Sequence, residues 1–187
     1  MPAFFDTHAH LDYPDFAPDI GQVIDRAQAA EIVKIISIGT DLASSARALK
    51  LAEAHAEIYA VVGWHPSHAL DAPTDIRPAL RVLARHPKVV ALGETGLDYY
   101  RLPSAKGGTP ADDDAYRRRQ AGLFQQHLDV AAETGLNCVI HQRGDCFADT
   151  LAQLQPFADR VRGVFHCFAN DAAVLQQVLA IGSLVSF

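Results

Sequence analysis

Apolar residues along the chain fall into short runs separated by stretches of helical period. Residues 33–39 (VKIISIG), 58–64 (IYAVVGW), 88–94 (KVVALGE), 137–141 (NCVIH) and 161–168 (VRGVFHCF) are rich in β-branched and apolar side chains, the pattern of strands buried on both faces. Residues 3–8 make a similar first run, and residues 183–187 (SLVSF) begin a seventh strand. Between the runs the period changes. Ile20, Val23, Ile24 and Ala27 stand at i, i+3, i+4 and i+7, which predicts a helix over 19–31 with one buried stripe. Further helices are predicted over 42–54 with Asp41 as cap, 75–85, 115–134 with Gly135 as stop, around Phe147, Leu151 and Leu154 as far as Pro156, and 171–181. Residues 96–114 contain Pro103, Gly107, Gly108, Pro110 and three consecutive aspartates. They read as a long loop of the kind that is usually functional or mobile.

Strict alternation of strand and helix predicts an α/β fold with a parallel sheet flanked by helices. A doubly wound sheet and a TIM-type (β/α)8 barrel both satisfy that pattern, and the polar residues separate them. Of nine histidines, His8, His10, His65, His141 and His166 lie at or just past the carboxyl end of a predicted strand, and Glu94 ends the fourth strand in the same way. A barrel gathers all those ends at one mouth, the face where such folds carry their chemistry. An open sheet would spread them along an edge. The expected architecture is therefore a TIM-type barrel in one domain over 1–187, incomplete, with six full strands and the start of a seventh.

Composition narrows the class without naming a function. Hydrophobic residues at 49% and charged residues at 20% suit a soluble globular domain, and no apolar run approaches a membrane span. No basic leader precedes Asp6, so a cytoplasmic location is expected. Cys138, Cys146 and Cys167 are odd in number and lack C-x-x-C spacing, so they read as buried thiols. A net charge of −6 argues against coating nucleic acid through a broad basic surface. It leaves nucleic acid open as a substrate, because metal ions can hold phosphate locally. No obligate protein partner is indicated.

The histidines carry the chemistry. In an extended strand Asp6, His8 and His10 share one face, with His8 and His10 about 7 Å apart. Four imidazoles and the Glu94 carboxylate suit a transition metal such as Zn, Mn or Fe better than an all-oxygen site. A carboxylate can also bridge two ions about 3.5–4 Å apart, an arrangement that supports phosphate-ester hydrolysis. His68 is a candidate for substrate contact beside the mouth. His55 at a helix end, His86 at the opposite end of the barrel and His127 within a helix read as incidental.

With these residues laid out, the chain resembles the TatD family of metal-dependent hydrolases, amidohydrolase-like barrels. Asp6-Thr7-His8-Ala9-His10-Leu11-Asp12 matches its D-x-H-x-H opening, Gly63-Trp64-His65-Pro66 its G-x-H-P, and Gly93-Glu94-Thr95-Gly96-Leu97-Asp98-Tyr99 its G-E-x-G-L-D-Y. Gln120 to Phe124 is similar to its Q-x-x-x-F helix, Ile140-His141-Gln142-Arg143 to its I-H-x-R, and His166-Cys167-Phe168 to its H-C-F. The resemblance implies a deoxyribonuclease-like phosphodiesterase, 3′–5′ exonucleolytic, acting on DNA as single strands or ends. It implies two divalent ions (Zn, Mn, Mg or Fe), one held by His8 and His10, the other by His141 and His166, with Glu94 between them. His65, Arg143 and Glu94 would be the catalytic groups, His65 and Arg143 within reach of substrate phosphate, while Asp98 and Tyr99 would shape the loop above Glu94.

The family barrel has eight strands and a further metal-binding aspartate after a later strand. This chain ends at Phe187, inside the seventh, and so reads as truncated at its carboxyl end. Two other functions compete: a hydrolase of a small ester, lactone or amide, and a catalytically impaired fragment. Against the first, many binuclear amidohydrolases bridge their metals with a carboxylated lysine on the fourth strand, where this chain has Glu94.

Overall fold

The computed structural model describes residues 3–187, which form one seven-stranded parallel sheet in the order β1-β2-β3-β4-β5-β6-β7. The strands are β1 (Phe4–Ala9), β2 (Ile32–Ile38), β3 (Ile58–Val62), β4 (Val89–Asp98), β5 (Asn137–Arg143), β6 (Gly163–Phe165) and β7 (Leu184–Val185). The helices are α1 (Ile20–Ala29), α2 (Leu42–Ala54), α3 (Arg77–Leu83), α4 (Pro110–Thr134), α5 (Phe147–Leu154) and α6 (Ala172–Ala180). Strand order never reverses, which rules out the doubly wound alternative. The sheet has also curled. The rings of His8 in β1 and His166 after β6 are stacked with centroids 4.1 Å apart, whereas five spacings of a flat sheet would separate those strands by roughly 24 Å. Among the described residues β1 pairs only with β2 and β7 only with β6, so the barrel is open between them.

The central strands are apolar throughout because both faces are covered. Ile38, Val61, Ala91 and Val139 form a small cluster of their own. Their neighbours along the same strands, among them Ala60, Val62, Leu92, Cys138 and Ile140, join the larger core with Ile24, Leu80, Phe124 and Leu128 of the helices. Alternate residues thus face opposite sides, the smaller cluster inward and the larger outward. No helix among the described residues is long and apolar enough to cross a membrane.

Local signals behave as their chemistry dictates. Asp41 accepts the Ser44 N–H at 2.6 Å and starts α2. Gly135, at φ 73°, ends α4 in the left-handed conformation that glycine tolerates best. Several boundaries shift from expectation, and two of the shifts bear on the centre. Thr95, Gly96, Leu97 and Asp98 belong to β4, paired with Ile140, His141, Gln142 and Arg143 of β5, so the fourth strand runs past Glu94. The aspartate run opens α4 itself: Pro110 stands in the first turn, and Thr109 and Asp112 form a reciprocal capping box. Cys138 and Cys146 are buried as expected, but Cys167 is exposed, in the turn just after His166.

Candidate metal centre

Glu94 is 3% exposed and lies where the strand ends converge. Gly93 makes this possible. Its φ is +131°, and a Cβ there would stand 2.6 Å from the Val139 carbonyl oxygen, so only glycine lets β4 approach β5 so closely beside the carboxylate.

The two carboxylate oxygens of Glu94 face different imidazoles. Oε2 lies 3.3 Å from His8 Nε2 and 3.8 Å from His10 Nε2. Oε1 lies 2.5 Å from His166 Nε2, 2.8 Å from His141 Nδ1 and 3.2 Å from His65 Nε2. Burial alone would raise the Glu94 pKa. The hydrogen bonds from His141, His166, His65 and His8 outweigh it and hold this carboxyl far below the usual range. The imidazoles therefore favour the ionised form of Glu94.

The imidazoles are individually oriented. His10 directs Nδ1 at the Ile38 carbonyl, 3.1 Å away, which leaves Nε2 toward Glu94. His141 points Nε2 at Asp98 Oδ2 (3.2 Å) and Nδ1 at Glu94. Its burial disfavours charge, but the flanking Asp98 and Glu94 carboxylates push its pKa up to about 9. His166 moves the other way, lowered by burial against the pull of Glu94. His65 accepts the Ser67 N–H on Nδ1 at 3.0 Å, so in its neutral form the proton sits on Nε2. Burial lowers its pKa despite Glu94 and favours that neutral form.

These donors fit a nitrogen-rich metal site. His8, Glu94 and His166 each offer a ligand atom within 4.8 Å of the others, as do His65, Glu94 and His141. His141 Nδ1 approaches His166 Nε2 to 3.2 Å, close to the roughly 3.3 Å between two imidazole nitrogens on one tetrahedral zinc. His8 Nδ1 is buried with no hydrogen-bond partner among the described residues. His65 also lies close to this group, but its Nε2–H makes it a hydrogen-bond donor.

On the β5–β6 side of this centre lies a cavity of about 620 Å³ lined by His141, Gln142, Arg143, His166, Cys167 and Asn170. Arg143 ends β5 with its guanidinium 4.3 Å from the Tyr100 ring. Tyr99 turns away, its hydroxyl donating to Asp149 at 3.0 Å. His68 stands off from the centre, its ring 6.0 Å from that of His65. His86 pairs with Glu53 at 3.1 Å, just before β4 and so at the strand's far end.

Three residues support the centre: Asp98, for which the resemblance implied only a loop-shaping role, Gln120, matched only as part of a helix motif, and His127. Asp98 orients His141. Gln120, wholly buried on α4, clamps the Asp98 backbone from both sides, accepting its N–H at 2.9 Å and donating to its carbonyl at 3.0 Å. His127, read as incidental, is wholly buried and places Nδ1 3.0 Å from Thr95 Oγ1, next to Glu94. The signal was available in their spacing. Gln120, Phe124 and His127 lie on one face of α4, and polar residues on a buried helical stripe need partners.

An open α/β barrel with imidazoles and one carboxylate converging at the mouth defines the class of metal-dependent hydrolases. The comparisons narrow this to a family. Residues 5–187 match the family model for TatD related DNase, and the chain belongs to that family. It is 34% identical over 184 residues to the uncharacterized metal-dependent hydrolase YabD of Bacillus subtilis, covering 98% of this chain and 68% of that protein. It is 36% identical over 179 residues to the 3′-5′ ssDNA/RNA exonuclease TatD of Enterobacter lignolyticus, covering 95% of this chain and 64% of that one. The crystal structure of the TatD homologue YJJV from Escherichia coli superposes with a TM-score of 0.85 at 29% identity, over 97% of this chain and 66% of that chain. The chain thus spans about two thirds of the length of these relatives.

Proposed function

We propose that the mouth is a two-metal centre that hydrolyses phosphodiester bonds of nucleic acid, from a strand end, on single strands. The observation that carries the reading is the division of Glu94, with Oε2 toward His8 and His10 and Oε1 toward His141 and His166. A carboxylate so placed can hold two ions at once. The name of the Enterobacter relative supports a nucleic-acid substrate. The nitrogen-rich donor set favours Zn, Mn or Fe over Mg.

When bound, the ions supply Lewis-acid polarisation of the phosphate and activation of water. The protein does the rest. His8 and His10 would hold one ion and His141 and His166 the other, with Glu94 serving both, its charge secured by its imidazole neighbours. His65 presents Nε2–H to a phosphate oxygen or to the departing group. Arg143 supplies a fixed positive charge on the cavity wall for the flanking phosphate. Asp98 keeps His141 from rotating.

Metal content and the release of nucleotides from end-labelled single-stranded DNA, with and without chelator, test this on the purified chain. Glu94→Gln is expected to lose bound metal and nucleolysis together, and His86→Ala to lose neither. A Glu94→Gln chain that keeps two ions and full rate overturns the bridging role.

A further inference from the structure

Five aromatic side chains among the described residues are exposed: Phe4, Phe5, Tyr13, Tyr100 and Phe187. Phe4 and Phe5 lie on the open edge strand β1, and Phe187 is the final residue. Tyr13 and Tyr100 differ. They follow the mouth ends of β1 and β4, the strands that carry His8 and Glu94, and those strands stand three positions apart in the curled sheet.

Neither ring is displayed by a loose loop. The Tyr13 N–H donates to the His10 carbonyl at 3.3 Å, and its ring lies nearly parallel to the His10 imidazole, with centroids 5.0 Å apart and 15° between planes. The Tyr100 N–H donates to Asp98 Oδ1 at 3.0 Å. Gly144, at φ +81°, packs against that backbone so tightly that a Cβ would stand 2.8 Å from the Tyr100 nitrogen. One face of Tyr100 meets the Arg143 guanidinium at 4.3 Å. Each ring therefore has one side against a group of the mouth while the residue stays open to solvent, 41% for Tyr13 and 61% for Tyr100.

We propose that Tyr13 and Tyr100 are stacking platforms for unpaired bases of a single-stranded nucleic acid, one on each side of the Glu94 centre. The proposal rests on the nuclease reading above and deepens it. Every base presents a flat π-face, so aromatic platforms hold a strand without reading its sequence. Bases inside a duplex are already stacked on one another, so the platforms favour single strands. Cations accompany both rings. Arg143 lies on Tyr100, while Arg47 and Lys50 share a groove of about 420 Å³ with Tyr13. The carboxylate in that groove, Asp12, is already paired with Arg47 at 3.1 Å, so Lys50 is left for a phosphate.

Fluorescence anisotropy of phosphorothioate-linked hexadeoxynucleotides, each carrying one abasic position in turn, tests the platforms. Base loss at two positions is expected to weaken binding to the wild-type chain about tenfold each. Tyr13→Ala should abolish one of those penalties and Tyr100→Ala the other, while Tyr13→Phe and Tyr100→Phe keep both. Wild-type binding indifferent to every abasic position, or penalties that persist in the alanine variants, overturns the platforms and leaves the nuclease reading standing. A wild-type chain that neither binds the oligonucleotides nor releases nucleotides from single-stranded DNA overturns both.

Discussion

Nε2 of the buried His127 accepts the backbone N–H of Trp64 at 2.9 Å, which fixes the residue immediately before His65. Because that nitrogen accepts, the ring proton sits on Nδ1, within reach of the Leu123 carbonyl (2.8 Å) and Thr95 Oγ1 (3.0 Å). One imidazole on α4 thus ties the turn after β3 to the middle of β4. Tyr116, three turns earlier on the same face, adds hydroxyl contacts to the carbonyls of Pro66 (3.2 Å) and Ser67 (3.1 Å). The inner face of α4 is the outer support of the centre, and it holds backbone where His65 and Glu94 depart from it.

The His127 clasp predicts an acid-sensitive stability. Burial pushes the His127 pKa down to about 4 from 6.5, with the Leu123 carbonyl only partly opposing it. Between those values the unfolded chain binds a proton that the folded one refuses. The contribution of neutral His127 is therefore whole above pH 6.5 and declines as the pH falls toward 4, by about 3 kcal/mol in all. Urea unfolding of wild type and His127→Gln should show a stability difference that favours wild type at pH 7 and shrinks by that order at pH 4. A pH-independent difference would show that protonation of His127 does not limit the fold.

Asp98 predicts an effect on metal binding with the fold left intact. Its carboxylate orients His141 through Nε2, while Gln120 grips only its backbone, so Asp98→Asn keeps the β4 anchor. Loss of such an outer partner typically costs about 10–100-fold in metal affinity. Competition with a chromophoric zinc chelator should show a loss in that range with an unchanged unfolding midpoint. Equal affinity for the two chains would mean that Asp98 serves only the strand end.

Sequence patterns revealed the barrel because buried parallel strands and amphipathic helices leave strong periodic signals, as in 33–39 and around Ile20, Val23 and Ile24. They did not reveal how far β4 runs, since Gly96 and Asp98 are poor strand formers and only pairing with His141 and Arg143 holds them extended. The aspartates of α4 looked like loop because their helix-starting role depends on Thr109 and the helix dipole. Strand-end histidines were legible from position alone. For His127 the spacing marked a buried polar position on α4, but nothing local says that it faces Trp64 and Thr95.

His65 and His141 sit side by side, yet their hydrogen bonds predict different losses. The Ser67 N–H occupies His65 Nδ1 and leaves Nε2 protonated, whereas His141 Nδ1 faces Glu94. His65→Gln should retain the ions of the proposed centre by native mass spectrometry and slow nucleolysis by about 10²–10³-fold, the usual range for a lost hydrogen-bond donor to developing charge. His141→Gln should lose an ion. If His65→Gln also sheds metal, His65 is a ligand and its tautomer reverses on binding.

The open seam predicts self-association. β1 pairs only with β2 among the described residues, and it displays Phe4 at 55% and Phe5 at 66% exposure. On the other side Leu184 of β7 is 57% exposed. A free strand edge beside apolar side chains is a template for pairing with another chain. Sedimentation velocity of the 187-residue chain should show mass rising with concentration in the micromolar range. Phe5→Lys should suppress that rise, because a charge on an edge strand must be buried for the edge to pair. The metal content should not change, since Phe5 lies before the histidines on β1 and away from the mouth. A wild-type chain that stays monomeric at every concentration would mean that the exposed edges are protected by twist or by fraying of β7, and the seam would not be adhesive.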